Sequence, residues 1–143
     1  MNLEDSLVHV DLFAGMDRKH LRKLAEKMKV VTYAPGDTVM RSGTAPPRGG
    51  LANMGVVLKG ALDVEGPDGQ SVARIGPGQV FGEMALLDDS ERSATIVAVE
   101  PTEAALLSAF NFRRELETNQ AFTLNMLKVL VQRIREARST APR

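Results

Sequence analysis

The chain has 143 residues, 43% of them apolar, which suits one folded domain and leaves little room for two cores. Eighteen Lys and Arg balance eighteen Asp and Glu, so net charge draws the chain to neither nucleic acid nor an anionic membrane. Cysteine is absent, which excludes disulfide scaffolds, Cys-ligated zinc or iron–sulfur sites and thiol catalysis.

Residues 3–8 are expected to form a short helical turn, with 11–15 as a joint. Asp17 then supplies an N-cap, and Leu21, Leu24, Ala25 and Met28 follow as one apolar helical stripe. Arg18, Lys19, Arg22, Lys23 and Lys27 lie off that stripe and read as a solvated face. From Val30 onward the texture changes. Short β-prone runs at 30–33, 38–40, 55–58, 61–64, 72–75 and 95–99 are punctuated by Pro35-Gly36-Asp37, Gly66-Pro67-Asp68-Gly69 and Gly76-Pro77-Gly78. Short strands with such regular turns predict an antiparallel sandwich or barrel. Asp68-Gly69 reads as a hairpin tip. Residues 44–50 carry no strand pattern and read as a mobile surface loop.

The last third returns to helix. A short piece is expected over 111–117, and Thr118 can cap a longer helix from 119 to about 138. The longer helix has two apolar stripes: Phe122, Met126, Val129 and Leu130 on one side, Leu124, Leu127, Val131 and Ile134 on another. Packing on one sheet needs a single stripe, so the second implies a partner helix or a ligand to cover. Phe110, Phe112, Phe122, Met54, Met84 and Met126 read as core fillers. Arg133, Arg135, Arg138 and Arg143 complement the dipole at the helix end.

The segment with chemistry runs over residues 76–95. A Gly-flanked turn delivers Gly82 and Glu83, and Met84-Ala85-Leu86-Leu87 is long enough for one helical turn. Unpaired N–H groups at such a turn suit a phosphate, and the planar guanidinium of Arg92 can donate two hydrogen bonds to its oxygens. Glu83 beside an anion must face a donor, and a sugar hydroxyl is one. An acid and an Arg around a backbone nest therefore fit a sugar-phosphate ligand.

Phe81-Gly82-Glu83, the run 84–87, four variable residues and then Arg92-Ser93-Ala94-Thr95 closely resemble the phosphate-binding cassette of the cyclic nucleotide-binding domain family. Leu12-Phe13-Ala14-Gly15-Met16, Tyr33-Ala34-Pro35-Gly36-Asp37, residues 56–60 and the Arg-bearing last helix follow in family order. The resemblance implies a mainly β fold: an antiparallel β-roll, or double-stranded jelly roll, with N-terminal helices and a C-terminal lid helix. It divides one domain, 1–143, into helices over 1–29, the roll over 30–110 with its cassette at 81–95, and helices over 111–138. Carried over residue by residue, Glu83 binds the ribose 2′-hydroxyl and Arg92 the cyclic phosphate. Backbone N–H groups of Gly82, Met84, Ala85 and Ser93 complete the cradle, and Arg133 contacts the base. Ser93 stands where Thr accompanies cyclic GMP preference, so cyclic AMP is favoured, with cyclic GMP the second choice. Three departures stand out: the longer Pro-rich stretch at 44–53, Gly55 in place of an aromatic, and Glu91 in place of Pro before Arg92.

The expected function is thus a regulatory sensor that binds a cyclic nucleotide without catalysis, the last helix closing over the base. A ligand-silent roll used for dimerisation or interaction with an effector is the alternative. No cofactor, metal, nucleic acid or membrane is expected. His9 and His20 are too few for a His triad and read as surface histidines, which argues against a cupin-like enzyme. Asp88 and Asp89 read as loop solvation. No apolar run reaches the length of a membrane span and no signal peptide is legible, so a cytoplasmic location is expected. The chain shows no helix-turn-helix, kinase or channel segment after its last helix, and a stand-alone sensor is expected.

Overall fold

Among the described residues, eight strands form two four-stranded antiparallel sheets, with helices before and after them. The computed structural model describes residues 2–41, 43, 53–66, 68–88 and 94–140. The expected loop at 44–50, Asp89, Glu91, Arg92 and Ser93 lie outside the described residues. One sheet has the order β1 (Lys29–Tyr33), β8 (Thr102–Ser108), β3 (Asn53–Lys59), β6 (Val80–Phe81). The other has the order β2 (Thr38–Met40), β7 (Thr95–Ala98), β4 (Leu62–Glu65), β5 (Ser71–Ile75). This is the antiparallel jelly roll that the turn spacing and the resemblance lead one to expect.

The alternation of side chains along β3 and β8 divides the core in two. Met54, Val56, Ala105 and Leu107 face the helices, whereas Val57 and Ala104 face the second sheet with Leu62, Ile75, Phe81, Ile96 and Ala98. Strands buried on both faces need continuous apolar runs. Residues 104–107, Ala-Ala-Leu-Leu, are such a run, paired on one side with β1 and on the other with β3. Gly55 lies opposite Phe81 in the register of β3 and β6. A Cβ there would sit 2.1 Å from the Phe81 ring, so the glycine leaves room for the phenylalanine.

The N-terminal helices follow their caps. Asn2 accepts from the Asp5 N–H and starts α1 (Leu3–Leu7), a 3-10 turn covers Asp11–Phe13, and Asp17 accepts from the His20 N–H at 3.1 Å to start α2 (Arg18–Glu26). The basic face of α2 is only partly solvated. Arg18 and Arg22 donate to opposite oxygens of Glu4, a buried carboxylate on α1, and these bonds hold its pKa below the usual carboxylate value.

At the other end, α4 (Ala109–Thr118) leads through Asn119 to α5 (Gln120–Thr140). Asn119 caps α5 by accepting from the Phe122 N–H at 3.2 Å. Thr118 does not cap it; its hydroxyl donates to the Arg114 carbonyl one turn back on α4. Phe122 is buried between Phe13, with ring centroids 6.0 Å apart, and Phe112, at 5.9 Å. Asn125 donates to the carbonyls of Leu12 and Ala14, fixing α5 on the 3-10 turn. Phe110 departs from the expected core role: it is mostly exposed at the start of α4.

Candidate functional site

The turn before the cassette is built from its own backbone. Gly78 adopts a positive φ of 84°, its N–H donates to the Val57 carbonyl, and the Gln79 side chain accepts from the Gly76 N–H at 2.7 Å. This delivers β6 against β3. Gly82, with φ 79°, then turns the chain from β6 into α3 (Glu83–Asp88), a reversal that an L side chain would strain.

Glu83 opens α3 with its carboxylate 1% exposed. A buried charge needs a partner, and here the partner comes from the last helix. Arg133 of α5 donates through Nη1 to Glu83 Oε1 and through Nη2 to the Val80 carbonyl, so one guanidinium spans the end of β6 and the start of α3. Burial lowers the Arg133 pKa from its usual value, and the nearby negative charge of Glu136 opposes that shift. Arg113 of α4 donates to the Leu86 carbonyl at 3.3 Å, tying α3 to the C-terminal helices from a second side.

Gly82, Glu83 and Arg133 line a cavity of about 700 Å³, within the usual size for a small-molecule site. Its apolar wall is Val64, Val72, Ile75 and Ile96 of the second sheet with Met40; Gly82, Glu83, Met84 and Ala85 form the cassette side. Arg133, Glu136 and Ala137 line it from α5. Of the expected site residues, Gly82, Glu83, Met84, Ala85 and Arg133 therefore surround one cavity. Arg92 and Ser93 lie outside the described residues, although Ala94, next in the chain, lines the same cavity. Met84 corrects the core-filler expectation: it is 54% exposed and faces the cavity. The expected donor to Glu83 is a sugar hydroxyl; its donor in the structure is Arg133. Spacing carries no sign of a contact across fifty residues, and the only available signal was the demand of a buried acid for a cation.

The described residues hold no cluster of three or more His, Cys, Asp or Glu that could bind a metal, and no helix among them is long and apolar enough to cross a membrane. Among the described residues, the second apolar stripe of α5 is only partly covered. Leu124, Leu127, Val131 and Ile134 are each about half exposed, from 47% to 58%.

Comparison with known proteins gives a consistent picture. The family model for the cyclic nucleotide-binding domain matches residues 30–119. The cyclic AMP receptor protein of Thermus thermophilus is 41% identical over 68 residues, covering 48% of this chain and 32% of that protein. A cAMP-dependent protein kinase regulatory subunit of Aspergillus fumigatus is 32% identical over 113 residues, covering 79% of this chain and 26% of that protein. The chain thus spans a quarter to a third of the length of these relatives. Among solved structures, cAMP-bound PfPKA-R superposes with a TM-score of 0.74 at 26% identity, covering 91% of this chain and 45% of that one.

Proposed function

This chain belongs to the cyclic nucleotide-binding domain family, and on that premise we propose that its cavity takes cyclic AMP in preference to cyclic GMP, with α5 closing over the base. Such a domain is a regulatory sensor module rather than a catalyst. The observation that carries the reading is the buried Glu83 carboxylate, held at the wall of an otherwise mostly apolar cavity by a cation from the last helix.

In this reading Glu83 accepts the ribose 2′-hydroxyl. Arg133 engages Oε1, and a carboxylate has acceptor capacity for further donors, so sugar and lid can share it. Arg92 donates to the cyclic phosphate, and the N–H groups of Gly82, Met84, Ala85 and Ser93 surround it. The apolar wall of Val64, Val72, Ile75 and Ile96 suits a purine face, with Arg133 and Ala137 over it. A serine at position 93, in place of the threonine that accompanies cyclic GMP preference, supports the choice of cyclic AMP. A cytoplasmic location belongs to the same reading.

A ligand shifts an equilibrium only by its differential affinity for the two states. Contacts between nucleotide and α5 would therefore convert occupancy into a change at the last helix. The exposed stripe gives that change somewhere to go: a second copy of the chain or an effector helix covers Leu124, Leu127, Val131 and Ile134. The same stripe favours the second reading, a roll that works as an interaction module without ligand.

Parallel calorimetric titrations with cyclic AMP and cyclic GMP separate these readings. Saturable binding with cyclic AMP tighter supports the proposal. Tighter cyclic GMP overturns the preference, and no binding of either leaves the interaction module.

A further inference from the structure

The last helix is fastened unevenly along its length. Phe122 and Met126 bury its first two turns, but past Met126 no described side chain of α5 is fully buried, and Val129 and Leu130 are only partly so. Polar contacts hold this stretch at two points. At the first, Asn125 donates through Nδ2 to the Leu12 carbonyl at 3.0 Å and to the Ala14 carbonyl at 2.8 Å, so both amide hydrogens are used on the 3-10 turn. At the second, Arg133 donates to the Glu83 carboxylate and the Val80 carbonyl. Between them lies a second cavity of about 500 Å³, bounded by Lys128, Val129 and Gln132 of α5 and by Gly78 and Gln79 of the turn before β6. Here α5 is a beam across a cavity, pinned at two points.

We propose that Asn125 is a positioning residue for nucleotide binding: it sets the tilt at which α5 leaves the 3-10 turn, and so delivers the Arg133 guanidinium to Glu83. Its effect on affinity rests on the nucleotide-binding reading; its aiming of Arg133 does not. Arg133 follows Asn125 by two turns of helix, so a tilt of about 10° at Asn125 carries it about 2 Å over a span of about 12 Å. Hydrogen-bonding distances vary by only about 0.5 Å, and such a tilt parts the guanidinium from both acceptors. Phe122 and Met126 keep the helix from lifting off, but apolar contact is non-directional and does not set its tilt. Bonds to two separate carbonyls do, because a helix on a single bond is free to pivot.

Asn125→Ala is the sharpest variant, because alanine is the best helix former and does not weaken α5 from within. Asn125→Asp is the second: it keeps the shape and, ionised, has no hydrogen to donate. The order parameter of the Arg133 Nε–H, from nitrogen-15 relaxation without nucleotide, should be high in the parent and clearly lower in both variants. Cyclic AMP affinity by calorimetry should fall about three- to tenfold in both. In an Arg133→Ala background the same substitutions should cost nothing further, because the group they aim is gone. An asparagine with a merely structural role would cost as much there as in the parent. An unchanged Arg133 order parameter in a folded variant, or an equal loss of affinity in both backgrounds, overturns the proposal. A lower order parameter with parent affinity overturns the step from aim to binding. Failure of every chain to bind cyclic AMP refutes the nucleotide reading instead, and the order parameters still decide whether Asn125 aims Arg133.

Discussion

Arg133 of the last helix and Glu83 of the cassette are ion-paired across fifty residues of chain, and the same guanidinium holds the Val80 carbonyl. The residue expected to read the sugar is therefore already in contact with the helix expected to transmit the signal. Removing Arg133 leaves a carboxylate 1% exposed without this cation and removes the ion pair between α5 and the cassette. Arg133→Ala should weaken cyclic AMP binding by about 1–2 kcal/mol, roughly five- to thirtyfold. With Glu83→Gln as the second arm of a double-mutant cycle, the losses should be clearly non-additive by calorimetry. Additive losses would mean that the two side chains act separately.

Arg92→Gln tests the phosphate role. It keeps bulk and some hydrogen bonding but removes the charge. A charge-assisted bidentate contact in a partly desolvated site is worth about 2–4 kcal/mol, so affinity should fall about 30- to 1000-fold. Glu83→Gln should cost less, because an amide oxygen still accepts from the ribose hydroxyl. Parent-like affinity in a folded Arg92→Gln chain would remove Arg92 from the site.

The cassette was legible because its residues are contiguous in the chain and its turn needs a glycine. Gly82 has its positive φ, and Asp17 and Gly69 likewise mark a cap and a hairpin turn where local rules put them. Strand β8 was not legible as a strand. Its Ala-Ala-Leu-Leu run has neither alternation nor β-branched residues, because both of its faces are buried between neighbouring layers. The two residues of β6 are too few to show any period. Phe110 and Met84 were assigned to the core by type, but the face that each occupies depends on how α4 and α3 pack. The pairing of Glu83 with Arg133 is tertiary and leaves no mark on local spacing.

The stripe on α5 carries its own test. Four aliphatic side chains left half exposed in line favour association. The chain should show a concentration-dependent dimer by analytical ultracentrifugation, and Leu127→Glu should weaken it at least about tenfold by placing a charge in the seam. A parent chain that stays monomeric throughout would leave the stripe to a different partner.

Gly55 makes a stability prediction independent of ligand. A Cβ would fall 2.1 Å from Cζ of the buried Phe81 ring, so Gly55→Ala must displace that ring within the packed roll. Overpacking of this kind costs about 1–3 kcal/mol, read as a lower denaturation midpoint in urea. Combining it with Phe81→Leu should recover part of the loss.

The claim that binding and lid closure are one event is tested most directly by amide hydrogen exchange with and without saturating cyclic AMP. The account predicts slower exchange over residues 82–85 and, in the same titration, over residues 126–137 of α5. Protection confined to the cassette, with α5 unchanged, would contradict closure and leave a passive pocket.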